Sequence, residues 1–152
     1  MLKQVLVPLD GSELAEKALR YAKDITEPAG TIVLLTAVDV PEYAVPTFYP
    51  IGAVADVPDS GTMIDRLMPQ ANQYLDKIAT ALQEDGWQVQ TEAVVGEPAY
   101  AIIEKSEELN VDAIVMSTHG RSGISRWLFG SVTSKVLGSV DRPVFVIPSR
   151  ES

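Results

Sequence analysis

Short runs of β-branched and aliphatic residues recur along this chain, each closed by glycine, proline or aspartate, and between them apolar residues fall at helical spacing. Residues 5–9, 31–38, 113–117 and 144–147 are nearly continuous apolar runs, which predicts strands buried on both faces. Residues 88–95 alternate instead, with Val89, Thr91 and Ala93 set against Gln88, Gln90 and Glu92. That pattern belongs to a strand at or near a sheet edge.

The intervening segments carry a period of about 3.6. Leu14, Ala18, Leu19, Ala22 and Ile25 make one apolar face, with Ser12 placed as an N-cap and the helix ending before Pro28 and Gly30. A longer face, from Ile64 through Leu67, Met68, Ala71, Tyr74, Leu75 and Ile78 to Leu82, stops at Gly86. Pro98 suits the first turn of a third helix, with Glu97 beside its positive end and Ile102, Ile103 and Leu109 facing the core. A fourth starts near Gly130 and runs through Val132, Val136 and Leu137 to Gly138.

Strands alternating with helices predict right-handed crossovers and a parallel sheet covered on both faces, an α/β doubly wound sandwich formed as one domain over residues 1–152. Ligands of such sheets bind beyond the carboxyl ends of the strands, where strand order reverses. Neighbouring central strands would bring Pro8-Leu9-Asp10-Gly11-Ser12 and Ser117-Thr118-His119-Gly120 together there. Residues 39–61, with Pro41, Pro46, Pro50, Pro58, Tyr43, Phe48 and Tyr49, show neither period. A segment this long is a connector, or else a lid or partner-binding element.

Charge narrows the function. The net charge of -9 and pI near 4.5 argue against nucleic acid or an anionic membrane surface as a general partner. The 21 acidic residues are distributed unevenly, for none lies between Ala113 and Val140, where Arg121, Arg126 and Lys135 do. An acidic protein that keeps such a window has a place for an anion. The absence of cysteine excludes a disulfide scaffold and thiolate metal sites. No run approaches the roughly 18 apolar residues of a membrane span, and the opening apolar stretch is too short for a signal peptide, so a cytoplasmic location is expected.

Within the window, Gly130-Ser131-Val132-Thr133 opens a helix and offers free N–H groups, a positive dipole end and two hydroxyls to a phosphate tail; the plainer alternative is a tight turn with a Ser131 cap. Gly120 and Gly123 allow close backbone approach, and Arg121 and Arg126 either contact phosphates or are simply solvated. Asp10 can hold magnesium, contact a base edge or cap the next helix. His119, the only histidine, suits binding or structural hydrogen bonding better than general-base work, since no carboxylate partner is evident. Trp127, Leu128 and Phe129 would pack against the body or a second subunit. No P-loop, G-x-G-x-x-G after the first strand or G-x-S-x-G elbow occurs.

In the order of its elements and its glycine signature the chain resembles the universal stress proteins, whose nucleotide-binding branch carries G-x2-G-x9-G-[ST] after the fourth strand. Here that reads Ser117-x2-Gly120-x9-Gly130-Ser131, with serine in the first position. Val5-Leu6-Val7-Pro8-Leu9-Asp10-Gly11-Ser12, Ala37-Val38-Asp39 and Arg142-Pro143-Val144-Phe145-Val146-Ile147 also look like the family. The resemblance implies a five-stranded parallel sheet of the adenine nucleotide alpha hydrolase-like kind, in strand order 3-2-1-4-5. It further implies ATP, with magnesium or manganese, held with little turnover, and a homodimer paired through the last strand, residues 143–147. Carried over by position, Pro8, Leu9 and Asp10 would border adenine and ribose, and Val38 would contact adenine. Met116, Ser117, His119 and Gly120 would line the ribose and phosphates, with Arg121 beside them, and Gly130, Ser131, Val132 and Thr133 would grip the phosphates. The expected function is an ATP-binding regulatory module of the stress response. Competing readings are an interaction protein of the same fold that binds no nucleotide and acts through its dimer surface and residues 39–61, and slow phosphotransfer or ATP hydrolysis.

Overall fold

The computed structural model describes residues 1–40, 60–118 and 129–148. In chain order these form β1 (Leu2–Pro8), α1 (Glu13–Glu16), α2 (Ala18–Ile25), β2 (Thr26–Val38), α3 (Ser60–Glu84), β3 (Gln88–Val95), α4 (Pro98–Glu108), β4 (Ala113–Ser117), α5 (Ser131–Ser139) and β5 (Val144–Ile147). The strands make one five-stranded sheet in the order β3-β2-β1-β4-β5, and every pairing is parallel.

The apolar runs are explained by two cores, one on each face of the sheet. Val5, Val7, Ile32, Leu34, Ala113 and Val115 point toward α1, α2 and α3, where they meet Ala15, Ala18, Ala22, Leu75, Ala79 and Leu82. Their neighbours Leu6, Val33, Leu35, Ile114 and Met116 point the other way, toward Ala99, Ile102 and Val136 on α4 and α5. Because successive strand residues alternate faces, a strand covered on both sides has no position to spare for a polar residue. The sheet edges differ. β3 is one edge, as its alternation predicts, and carries no fully buried residue. β5 is the other, and there the expectation of burial on both faces fails: Phe145 is 41% exposed, with no further strand beyond β5 among the described residues.

The helix signals translate into visible caps. Ser12 Oγ accepts from the Ala15 N–H at 3.1 Å. Glu97 does more than sit near a dipole, for its carboxylate accepts from the N–H groups of Ala99 and Tyr100 and so caps α4 directly. Gly86, at φ +94, ends α3 in a Schellman turn in which the Trp87 N–H bonds to the Leu82 carbonyl and the Gly86 N–H to that of Gln83. Leu137 departs from its expected core role and is 39% exposed, and α5 continues through Gly138 to Ser139. The first helical segment is divided at Lys17 into α1 and α2.

Pro28 and Gly30 do not separate helix from strand as expected; both lie inside β2. While β1 advances from Leu2 to Gln4, its partner positions advance from Thr26 to Thr31, so the extra residues form a bulge that absorbs a proline lacking an N–H. Gly30 is required by space: a Cβ there would stand 2.7 Å from Thr26 Cγ2 and 2.8 Å from the Lys3 carbonyl oxygen. Gly30→Ala should therefore lower stability by about 1–3 kcal/mol, an overpacking cost against backbone that has little room to move. Urea unfolding of the two proteins checks this, and an unchanged midpoint would show that the bulge relaxes freely.

Candidate functional site

A parallel sheet puts every strand end and every following helix start on one side. The chain moves from β1 outward to β2 and β3, then returns to β4 and β5 on the opposite flank of β1, so the exits of β1 and β4 diverge and a crevice opens between them. Two adjoining cavities occupy this place. The inner, of about 150 Å³, is mostly apolar and lies among Pro8, Leu9, Leu35, Pro98, Ile102, Met116 and Ser117. The outer, of about 690 Å³, is bounded by Gly11, Val38, Asp39, Gln70, Tyr74, Thr118, Gly130 and Ser131. Asp10, Ala37, Pro98, Val132 and Thr133 line both, so the two are lobes of one cleft.

Every candidate residue within the described chain thus borders the cleft: Pro8, Leu9, Met116 and Ser117 at the inner lobe, Val38, Gly130 and Ser131 at the outer, Asp10, Val132 and Thr133 at both. His119, Gly120, Arg121, Gly123, Arg126, Trp127 and Leu128 lie outside the described residues, as does most of the 39–61 segment.

Local hydrogen bonding holds these groups. Asp10 Oδ1 accepts from the Ser12 N–H at 2.9 Å and from the Ser12 hydroxyl, whose oxygen in turn accepts from Ala15, so capping α1 and orienting Asp10 are one network. Gly11, at φ +84, makes the turn between strand and cap. Leu9 is tied to β2 at both ends of its peptide unit: its N–H donates to the Leu35 carbonyl, and its carbonyl accepts from Thr36 Oγ1.

At the other wall, α5 is docked onto the exit of β4. The Gly130 N–H donates to the Thr118 carbonyl at 2.9 Å, and the Thr133 hydroxyl lies 3.1 and 3.0 Å from the carbonyls of Ser117 and Thr118. Thr133 is almost fully buried and spends its proton on the protein, so what it can offer a ligand is its main-chain N–H. The N-cap Gly130 supplies no side-chain acceptor and the first turn holds no acid. Among the described residues the N–H groups at this helix start, which borders the cleft, have no side-chain cap, whereas those of α1 and α4 are capped by Ser12 and Glu97.

The α3 wall was not foreseen as part of a site. Leu67, Gln70, Ala71 and Tyr74 form one stripe of the helix, and their spacing looks the same whether a stripe packs on a core or on a cavity. Pro98 was foreseen only as a helix start. The parallel topology would have placed it here, since each such start borders the crevice. Tyr74 stands out chemically. Its hydroxyl is buried and has no hydrogen-bond partner among the described residues, and its pKa is pushed up to about 12, first by burial and then by the Glu16 carboxylate, with Asp10 adding to the effect.

A phenol held tighter to its proton in the folded state contributes stability below the unfolded value near 10 and loses it as pH rises through about 12. Ultraviolet titration should accordingly resolve one of the five tyrosines ionising near pH 12. Between pH 10 and 12 the unfolding free energy of Tyr74→Phe should fall less than that of the parent. Equal slopes would assign the late titration elsewhere.

Comparison with known proteins agrees with this architecture. Residues 1–148 match the model of the universal stress protein family. The chain is 30% identical to Universal stress protein MJ0577 of Methanocaldococcus jannaschii over 159 aligned positions, covering all of this chain and 98% of the relative. The solved structure of that protein superposes with a TM-score of 0.81 over 99% of this chain and 98% of its own. An Arabidopsis thaliana family protein with AMP bound shares the fold at 16% identity, with a TM-score of 0.66 over 99% of this chain and 93% of that one. A universal stress protein in complex with cAMP does so at 22% identity and 0.60, over 98% of each chain. The family match along nearly the whole chain, together with the shared strand order, shows that this chain belongs to the universal stress protein family.

Proposed function

We propose that this chain binds an adenine nucleotide, ATP in the first instance, in the cleft between β1 and β4, and that it works as a regulatory module rather than as a catalyst. The observation that carries this reading is the start of α5. Of the helix starts at the cleft, it is the one whose N-cap offers no side-chain acceptor, it lies in the acid-free part of the sequence, and it is fastened to the β4 exit by Gly130 and Thr133. A phosphate there would meet the first-turn N–H groups of Ser131, Val132 and Thr133 and the positive end of the helix.

The base and sugar follow from the remaining walls. Pro8, Leu9, Val38 and Met116 are apolar neighbours for a purine, and Asp10 stands where it would accept from ribose hydroxyls. Ser117, in place of the motif's glycine, is 92% buried at the end of β4, which supports the view that its hydroxymethyl group is accommodated by the strand rather than thrust into the ligand's space. The resemblance adds His119, Gly120 and Arg121 on the phosphate side. Magnesium or manganese fits this donor set only as a passenger of the phosphates: Asp10 supplies at most one carboxylate, and no cluster of three ligating side chains occurs among the described residues. That family structures hold AMP and cAMP supports an adenine ligand.

The nucleotide assignment is tested by a cap. Gly130→Asp places a carboxylate where the phosphate would sit, so it should raise the stability of the unliganded protein by about 0.5 kcal/mol through N-capping and the helix dipole while abolishing ATP binding in calorimetric titration. Undiminished binding would remove α5 as the phosphate site.

The β5 edge carries the second half of the proposal, a homodimer paired through residues 143–147. Phe145 is exposed on a strand whose outer edge has no partner within the described chain, a combination that invites pairing with a second copy. Phe145→Glu should convert the dimer to monomer in sedimentation velocity at micromolar concentration. A parent protein that is itself monomeric would overturn this half and leave the nucleotide site intact.

A further inference from the structure

Lys135 is a cation that neither the fold nor the nucleotide site has yet used. It lies on α5 four residues beyond Ser131 and three beyond Val132, both of which border the cleft, so it stands one turn further along the same side of the helix. Helical side chains lean toward the N-terminus, and a turn rises about 5.4 Å, within the reach of a four-carbon stem. The ammonium is thereby carried back toward the helix start. Its partner agrees with this placement, for Lys135 Nζ lies 3.9 Å from Glu97 Oε1, and Glu97 is the N-cap of α4 and precedes Pro98, which lines both lobes. The charge therefore stands between the starts of the two helices that wall the cleft.

The pair is a loose one. Its side chains are 63% and 44% exposed, and the carboxylate is already engaged with its cap: Oε1 accepts from the Ala99 N–H at 3.1 Å and Oε2 from the Tyr100 N–H at 3.0 Å. The Lys135 ammonium makes no other ion pair or hydrogen bond among the described residues. Lys105 is different, since Glu108 at 3.0 Å and Glu92 at 3.6 Å both hold it. Exposed pairs such as that of Lys135 add little to stability, so this ammonium is free to change partner when a stronger anion arrives.

We propose that Lys135 is a ligand-contacting residue that reads the length of the phosphate chain: it rests on Glu97 in the free protein and passes to the phosphates of a bound nucleoside triphosphate, favouring ATP over AMP in the same cleft. The inference rests on the nucleotide reading above and deepens it. The first-turn N–H groups of α5 hold one phosphate, and a triphosphate brings further charge that a cation at the rim can meet. Glu97, left behind on its cap, is a like charge beside that tail and holds the affinity down.

Calorimetric titration of the parent, Lys135→Gln and Glu97→Gln with ATP, AMP and inorganic tripolyphosphate tests this. Lys135→Gln should raise the dissociation constants of ATP and tripolyphosphate about tenfold and that of AMP no more than about twofold, the scale of one charge-assisted contact. Glu97→Gln keeps an acceptor for the α4 cap and should tighten ATP about two- to threefold by removing the competing carboxylate. Unchanged ATP affinity in Lys135→Gln overturns the proposal. An equal loss for ATP and AMP also overturns it, because a disturbed α5 start would act on both alike, and weaker ATP binding in Glu97→Gln overturns the exchange of partners. A parent that takes tripolyphosphate in a Lys135-dependent way but neither nucleotide upholds the phosphate contact and discards the adenine reading, so the two failures are distinct.

Discussion

All five strands run in the same direction, and that single constraint distributes the polar groups of this molecule. Each strand is followed by a crossover that must return to the opposite side before the next strand begins, so strand exits and helix starts share one side of the sheet. Helix starts bring unpaired N–H groups, and strand exits bring unpaired carbonyls. The interior has no room for either, since Val5, Leu6, Val7, Ile32, Val33, Leu34, Ile114 and Val115 have no exposed surface at all. Chemistry is thus pushed to one side, and the reversal of strand order between β1 and β4 opens the space in which it can act.

How those unpaired groups are satisfied separates scaffold from site. At α1 and α4 the chain supplies its own acceptors, Ser12 and Glu97. At α5 it spends its polar groups differently, using the Gly130 N–H and the Thr133 hydroxyl to tie the helix to β4 and leaving the helix start for something else. At the opposite end of the sheet the chain's own groups pair with one another: the Asp112 carboxylate accepts from the N–H groups of Lys3 and Gln4, and Arg142 donates to the Val111 carbonyl. The two ends thus differ in kind, one closed by the protein's own hydrogen bonds and the other with donors to share.

The edges show a second asymmetry. On β3, Gln90 donates to Glu92, and Lys105 of α4 lies 3.6 Å from Glu92 and 3.0 Å from Glu108, so a row of charge blunts this edge against pairing with another chain. β5 carries Val144, Phe145, Val146 and Ile147 with no charge among them. A sheet that defends one edge and not the other has a direction in which to assemble, and this is the physical sense of the dimer proposed through β5.

Much of this was legible in the residues. Continuous apolar runs identified the strands covered on both faces, alternation identified β3 as an edge, and Ser12, Gly86 and Pro98 marked helix ends, because each of these signals is set by backbone sterics or by the immediate neighbours along the chain. The glycine signature and the acid-free window pointed to the β4–α5 junction for the same local reason. Three matters were decided only by tertiary structure. Pro28 and Gly30 join a strand because a bulge opposite β1 takes up the proline and leaves Gly30 no space for a Cβ. Phe145 is exposed on a strand with nothing in the described chain beyond it, which an apolar pattern has no means of expressing. The stripe of Leu67, Gln70 and Tyr74 lines a cleft because α3 happens to pass the exits of β1 and β2. Periodicity specifies which face of a helix turns inward, but what that face meets, core or cavity, depends on elements distant in the chain.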